Sequence, residues 1–152
     1  MAIEYKAYYK TEIGVLEIVG TENAIKSIDF IAKKSVLDNK IPECLKECVK
    51  QIDEYFKGKR KEFSLNLDPD GTDFQMQVWK QLTKIPYGKT VSYGDVARGI
   101  GNLKASRAVG GAVGSNKISI IIPCHRVIGS DGSLTGFGGG LWRKKWFLKH
   151  EG

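Results

Sequence analysis

"SYGDVARGIGNLKASRAVGGAVG", residues 92–114, is the stretch on which the fold turns. Ser92 stands where a hydroxyl can accept from the free N–H groups of a helix's first turn, so a short helix is expected over "YGDVARGI". Gly101 and Asn102 interrupt it, and a second helix is expected over about 104–114, "KASRAVGGAVG". Two short helices joined by a tight, glycine-containing turn predict a helix-turn-helix. The second helix is odd in composition. Ala105, Ser106, Ala108, Gly110, Gly111, Ala112 and Gly114 are all small, and among them stands one long polar side chain, Arg107. Each interior glycine costs a helix about 1 kcal/mol. Small residues let something approach the backbone closely: either a neighbouring helix or the groove of a nucleic acid. The helix alone does not choose between them.

Upstream, Thr72 with Gln75 forms a capping-box pattern before a helix whose Phe74, Val78, Leu82 and Ile85 share one stripe. Pro86 and Gly88 in "IPYGKT" break it. Before it, "LDPDGTD" (67–73) is rich in turn residues and marks a domain boundary, giving an N-terminal domain at 1–70 and a C-terminal one at 71–152. In the first domain, residues 3–9, 13–19 and 24–31 are short, β-branched and aromatic, and predict an antiparallel meander. "PECLKECVKQIDEYFKG" (42–58) predicts a helix with Leu45, Cys48, Val49, Ile52, Tyr55 and Phe56 inward, and "EFSLNL" (62–67) a further strand. The expected fold class is therefore α+β: a small α/β domain followed by a helical domain.

Downstream lies "ISIIIPCHRVIG", residues 118–129. An apolar run ends in a proline, a thiol, an imidazole and a guanidinium. A cysteine attacks as thiolate, and a neighbouring imidazole or cation favours that form. Adjacent residues of a strand face opposite ways, so sequence adjacency alone does not bring Cys124 and His125 together. A turn at Pro123 would. The alternatives are a buried structural cysteine and a zinc site drawn from Cys44, Cys48, Cys124, His125 and His150, although Cys44 and Cys48 lack a second paired motif at the usual spacing. The last segment, "LTGFGGGLWRKKWFLKHEG" (134–152), predicts a glycine-rich loop and a helix over about 141–150. Trp142, Trp146 and Phe147 are expected to pack inward, with Arg143, Lys144, Lys145 and Lys149 facing water or phosphate. Glu151 opposes the dipole of that helix, which suggests that another group, such as a histidine to be oriented, wants an acid there.

Composition bounds the function. Residues 1–74 carry 12 Lys or Arg against 14 Asp or Glu, while residues 75–152 carry 12 against 3, so the net charge of +7 divides as −2 and +9. The second half thus fits a polyanion partner. No apolar run is long enough for a membrane span, the N-terminal residues have no signal-peptide layout, and three cysteines form no disulfide framework. A cytoplasmic protein is expected, or a nuclear one in a eukaryote.

Taken together, "RAVGGAVGSN", "IIPCHRVIGSDG" and "GFGGGLWRKKWFLKHEG" resemble the O6-alkylguanine-DNA alkyltransferases, over roughly residues 72–152. The resemblance implies a ribonuclease-H-like N-terminal domain and a helical C-terminal domain whose helix-turn-helix enters the minor groove of DNA. It implies DNA repair by single-turnover transfer of an alkyl group from O6-alkylguanine, and O4-alkylthymine, in duplex DNA to a cysteine after the base is flipped out. By position, Cys124 would accept the alkyl group, His125 would take its proton through a water, and Glu151 would hold the imidazole. Asn116 would fix the turn before the active-site strand. Tyr93 would donate to the leaving guanine and press on the 3′ phosphate. Val127, Phe137 and Gly138 would bind the base, Phe137 standing where many members have tyrosine. Arg107 would fill the gap in the base stack, with Tyr93, Ala105, Ser106 and Arg126 completing the DNA contacts. A monomer without a cofactor is expected, and no structural metal, since the first half has no histidine and so lacks the N-terminal zinc ligands of some members. A DNA-binding relative without transfer activity, a cysteine hydrolase and a helix-turn-helix regulator are the competing classes. Cys124 speaks against the first, the charge split against the second, and the scarcity of base-reading side chains against the third.

Overall fold

The computed structural model describes residues 2–32 and 40–152. The chain divides into two compact units, Met1–Asp70 and Gly71–Gly152.

The first unit is an antiparallel meander of β1 (Tyr5–Thr11), β2 (Gly14–Gly20) and β3 (Ile25–Ile31), in that spatial order. Leu16, Ile18 and Ile28 are fully buried, and α1 (Lys46–Phe56), preceded by a 3₁₀ turn at Glu43–Leu45, adds Cys48, Ile52 and Tyr55 to the core. Gly20 is required by packing rather than by its torsions: a Cβ there would lie 2.8 Å from the Ala24 carbonyl and 2.9 Å from Leu45. Gln51, on the inner face of α1, pairs with Ser64 through backbone and side chain. The strand expected at 62–67 does not form. The segment is held by that side-chain pairing and by a single parallel bridge, Ile25 to Leu67, so no ladder develops.

The second unit begins with α2 (Asp73–Leu82), opened by the expected capping box: the Thr72 hydroxyl accepts from Gln75 N and the Gln75 side chain accepts from Thr72 N. Val78, Trp79 and Leu82 are buried, and the indole N–H of Trp79 donates to the Ala112 carbonyl at 2.8 Å. A short strand β4 (Val91–Ser92) leads into α3 (Tyr93–Gly99), where Ser92 and Asp95 form a second capping box. A 3₁₀ turn at Leu103–Ala105 joins it to α4 (Ser106–Gly114), which buries Val109, Ala112 and Val113 and leaves Arg107, Ala108 and Gly111 exposed. β5 (Val127–Ile128) pairs in parallel with β4, and α5 (Leu141–Glu151) follows.

The isoleucine run is not a strand, and the expectation of an active-site strand there is corrected. Ile118, Ile120 and Ile122 are buried in alternation, but Ile120 has φ of 76°, the one positive value at a non-glycine among the described residues. Turn-like bonds from Ile121 N to Ser119 O and from Ile122 N to Ile118 O replace a ladder. Three apolar side chains pull inward while the backbone coils between them, so the period-two burial mimics a strand.

Candidate alkyl-acceptor site

Pro123 ends the coiled segment, and Cys124–Arg126 form a single 3₁₀ turn. All three side chains are buried. Asn116 sets the turn beforehand. Its amide nitrogen donates to the carbonyls of Ile118 (3.3 Å) and Ile122 (2.8 Å), and its oxygen accepts from Ile118 N (3.0 Å).

From α5, Glu151 reaches two members of the turn. His125 Nε2 lies 2.7 Å from Glu151 Oε2, while Arg126 donates from Nε to Oε1 (2.8 Å) and from Nη2 to Oε2 (3.0 Å). Arg126 also donates from Nη1 to the Ile85 carbonyl at 2.7 Å. Burial pushes the His125 imidazole below its ordinary value, against the pull of Glu151, and the charges of Arg126 and Lys144 push the same way. The ring is therefore neutral near pH 7. A carboxylate only accepts, so the Nε2 carries the proton and Nδ1 is bare. Nδ1 is also the one buried side-chain polar atom without a partner among the described residues. Burial raises the Cys124 thiol above its usual range, and the Asn116 hydrogen bond and the Lys144 charge draw it back down. The cluster thus combines a protonated thiol, a neutral base with an open nitrogen, and a fixed acid behind the base. That arrangement can deprotonate a thiol at the moment of attack.

Lys144 corrects an expectation. It is fully buried on α5, and its ammonium donates to the Thr135 carbonyl at 2.7 Å. Trp142, expected inward, is 56% exposed, with the Arg143 guanidinium 4.5 Å over its ring. The helix is turned so that Lys144, Phe147 and Glu151, one residue per turn, face the core. The His125 ring lies 4.9 Å from Phe147, which in turn is 6.1 Å from Phe137.

Two domain models cover the chain: the ribonuclease-like domain of 6-O-methylguanine DNA methyltransferase matches residues 4–69, and the DNA binding domain of the same family matches residues 73–152. This chain belongs to the 6-O-methylguanine DNA methyltransferase family. It is 44% identical, over 97% of its length and 98% of the relative's, to a methylated-DNA–protein-cysteine methyltransferase of Methanosarcina acetivorans. A crystal structure of the O6-methylguanine methyltransferase of Mycobacterium tuberculosis superposes with a TM-score of 0.88 at 41% identity, covering 98% of this chain and 93% of that one. A second structure from that organism, in complex with DNA, gives 0.87 at 42% identity, covering 96% and 91%.

Within the family's DNA binding domain, the remaining expected site residues fall into two groups. Arg107 is exposed on α4 and makes no hydrogen bond or ion pair among the described residues; Ser106, beside it, is half-buried. Tyr93, at the first turn of α3, donates to the Thr135 carbonyl (3.1 Å), with the Thr135 hydroxyl also in reach (3.2 Å). Its ring lies 3.9 Å from where a Cβ on Gly110 would stand. Gly138 is exposed, its Cβ position 3.5 Å from the Gly114 carbonyl, so the glycine-rich loop borders the C-terminal end of α4. Phe137 is half-buried, and Val127 is buried in β5. Two expected DNA contacts are not presented. Ala105 is 9% exposed, its methyl tucked inward at the start of α4, and the Arg126 guanidinium is spent on Glu151 and Ile85. Sequence reasoning missed Lys144. Its spacing of three and seven from Phe147 and Glu151 was the available signal.

Proposed function

We propose that this protein repairs DNA by moving the alkyl group of O6-alkylguanine, and of O4-alkylthymine, irreversibly to Cys124. The observation that carries this reading is the bare, buried Nδ1 of His125, which shares a single 3₁₀ turn with Cys124 and whose opposite nitrogen is fixed by Glu151. His125 takes the S–H proton, through a water as the family resemblance suggests. The sulfur lone pair then forms the S–C bond while the C–O6 bond breaks, and guanine leaves with the electron pair of the C–O6 bond and takes up a proton. Tyr93 supplies or relays that last proton to the base.

The thiol is buried, so the reacting base must leave the duplex to reach it, at a cost of a few kcal/mol. Arg107 fills the place it leaves, and the small residues of α4 let the helix come close to the groove. Val127, Phe137 and Gly138 contact the extruded base. The +9 charge of residues 75–152 supports a polyanion partner. Among the described residues no helix is long and apolar enough to cross a membrane. On this reading the protein acts as a monomer in the cytoplasm.

The test is incubation with a duplex carrying radiolabelled O6-methylguanine. Covalent label on the peptide holding Cys124, and its loss in Cys124→Ala with duplex affinity kept, is the expected result. Label on Cys44 or Cys48, or binding without label, would overturn the assignment.

A further inference from the structure

Glu151 holds His125 and Arg126 together, yet it is the last residue of α5. The final carbonyls of a helix have no partner within it, and helix ends open first. An acid placed there orients a base only if something outside the helix fixes that end. The segment 85–88, between α2 and β4, meets the acid and its counter-ion from several sides. The Ile85 carbonyl accepts from Arg126 Nη1 at 2.7 Å. The Tyr87 ring lies beneath the Arg126 guanidinium, its centre 5.7 Å away, within the range of a cation–π contact. The Tyr87 hydroxyl donates to the His150 carbonyl, in the last turn of α5, at 3.3 Å. Gly88, with φ of 80°, comes so near that a Cβ there would stand 3.1 Å from the Glu151 carbonyl. The segment is itself firm: Ile85 is buried and Pro86 has its φ fixed by its ring. The residues that break α2, Pro86 and Gly88, thus bracket a tyrosine aimed at the end of α5.

We propose that Tyr87 is a positioning residue for the transfer: with its hydroxyl on the His150 carbonyl and its ring beneath Arg126, it fixes the end of α5 so that Glu151 stays on His125 Nε2. This rests on the reading of Cys124 as alkyl acceptor. Tyr87 acts through Glu151, not on the reacting atoms. Each contact is modest alone, but together they tie the backbone that carries the acid and the guanidinium that pairs with it to one piece of chain. The consequence is control of the His125 tautomer. While the acid is held, the proton sits on Nε2 and Nδ1 stays bare to receive the thiol proton. When the end of α5 opens, either ring nitrogen can carry that proton, and the form with a bare Nδ1 is no longer enforced. Burial and the charge of Glu151 push the Tyr87 phenol up, so it keeps the proton it donates.

The test uses the full chain as Tyr87→Phe, which keeps the ring and drops the hydroxyl, and as Tyr87→Leu, which drops both. Transfer from methylated duplex is timed in single turnover with protein in saturating excess, and duplex affinity is measured separately. The low-field proton resonance of His125 Nε2–H, identified by its loss in His125→Phe, is followed for exchange with water. Tyr87→Leu should transfer roughly ten- to a hundred-fold more slowly, the scale of small displacements at a reacting centre, with duplex affinity kept and proton exchange faster. Tyr87→Phe should lose only roughly three-fold, the net worth of one hydrogen bond, with a smaller rise in exchange. A folded Tyr87→Leu protein with the wild-type rate overturns the proposal. So does slower transfer with an unmoved proton resonance, which marks Tyr87 as a packing residue. If Tyr87→Leu does not fold, Tyr87→Phe decides alone, and proton exchange at the wild-type rate overturns the proposal. Wild-type protein that shows the guarded proton but takes no label from methylated duplex would instead fail the functional reading.

Discussion

Arg126 and Glu151 form a two-point ion pair inside the protein, with N–O distances of 2.8 and 3.0 Å and side chains 7% and 1% exposed. Because the same carboxylate holds His125, the pair is the frame on which the base is mounted. Removing one partner of a buried pair leaves the other uncompensated, at a cost of about 3–5 kcal/mol. Arg126→Met is expected to lower the melting temperature steeply, while affinity for unmodified duplex, measured at a temperature where the variant is folded, stays near wild type. A variant that melts normally but binds DNA poorly would return Arg126 to the DNA interface.

Arg107 carries no such structural duty, being exposed and unpaired among the described residues. Arg107→Ala should leave the melting curve unchanged. Transfer from methylated duplex should slow by roughly thirty-fold or more, the equivalent of about 2 kcal/mol, while transfer from free O6-benzylguanine stays within a small factor. Equal loss on both substrates would put Arg107 in the chemistry.

Stability should depend on His125. Burial, the largest cause, lowers its folded value below that of the unfolded chain. The unfolded state therefore binds a proton that the folded state refuses, and stability falls as pH drops below the unfolded value of about 6.5. Denaturant titrations at about pH 7.5 and 5.5 should differ by about 1 kcal/mol through this group, and His125→Phe should remove that part of the difference. A wild-type stability that is flat across this window would mean that folding leaves the proton affinity of His125 unchanged.

A thioether has no carbonyl for water to attack and no good leaving group. On the proposed mechanism the thioether at Cys124 is final, since a water activated by His125 has nothing there to attack. Protein titrated against excess methylated duplex should form one equivalent of product and stop. The added alkyl group enters a closed site, and overpacking of a core costs about 1–3 kcal/mol, so the alkylated form should melt below the free one. Product beyond one equivalent would require a second acceptor.

What the sequence made legible is local. The capping box at Thr72 and the cap at Ser92 depend on residues three apart, and both form as expected, Asp95 adding a reciprocal bond at Ser92 that was not foreseen. The strands of the meander and the two helices of the helix-turn-helix announce themselves by alternation, glycine and spacing. The misreadings involve long-range partners. Whether Arg126 meets phosphate or Glu151, 25 residues away, is set by how α5 docks. Lys144 and Trp142 exchanged their expected places because aromatic character was weighed above the spacing that puts Lys144 in line with Phe147 and Glu151. The isoleucine run showed a strand's burial pattern while Ile120 took a backbone conformation that no side-chain pattern reports.

The glycines of α4 have a consequence for the motions of the molecule. Gly110, Gly111 and Gly114 leave this helix weak on its own, and it is held by Val109, Ala112 and Val113 on one side. Its outer face offers little to shield the backbone from water. In amide exchange, α4 should open before α2, whose Trp79 is bonded to the Ala112 carbonyl and anchors the other side of the contact. Bound DNA would cover that face, so the same amides should show the largest gain in protection when duplex is added. On the proposed docking, the element that comes closest to the nucleic acid is thus the one whose own order depends most on having something against it.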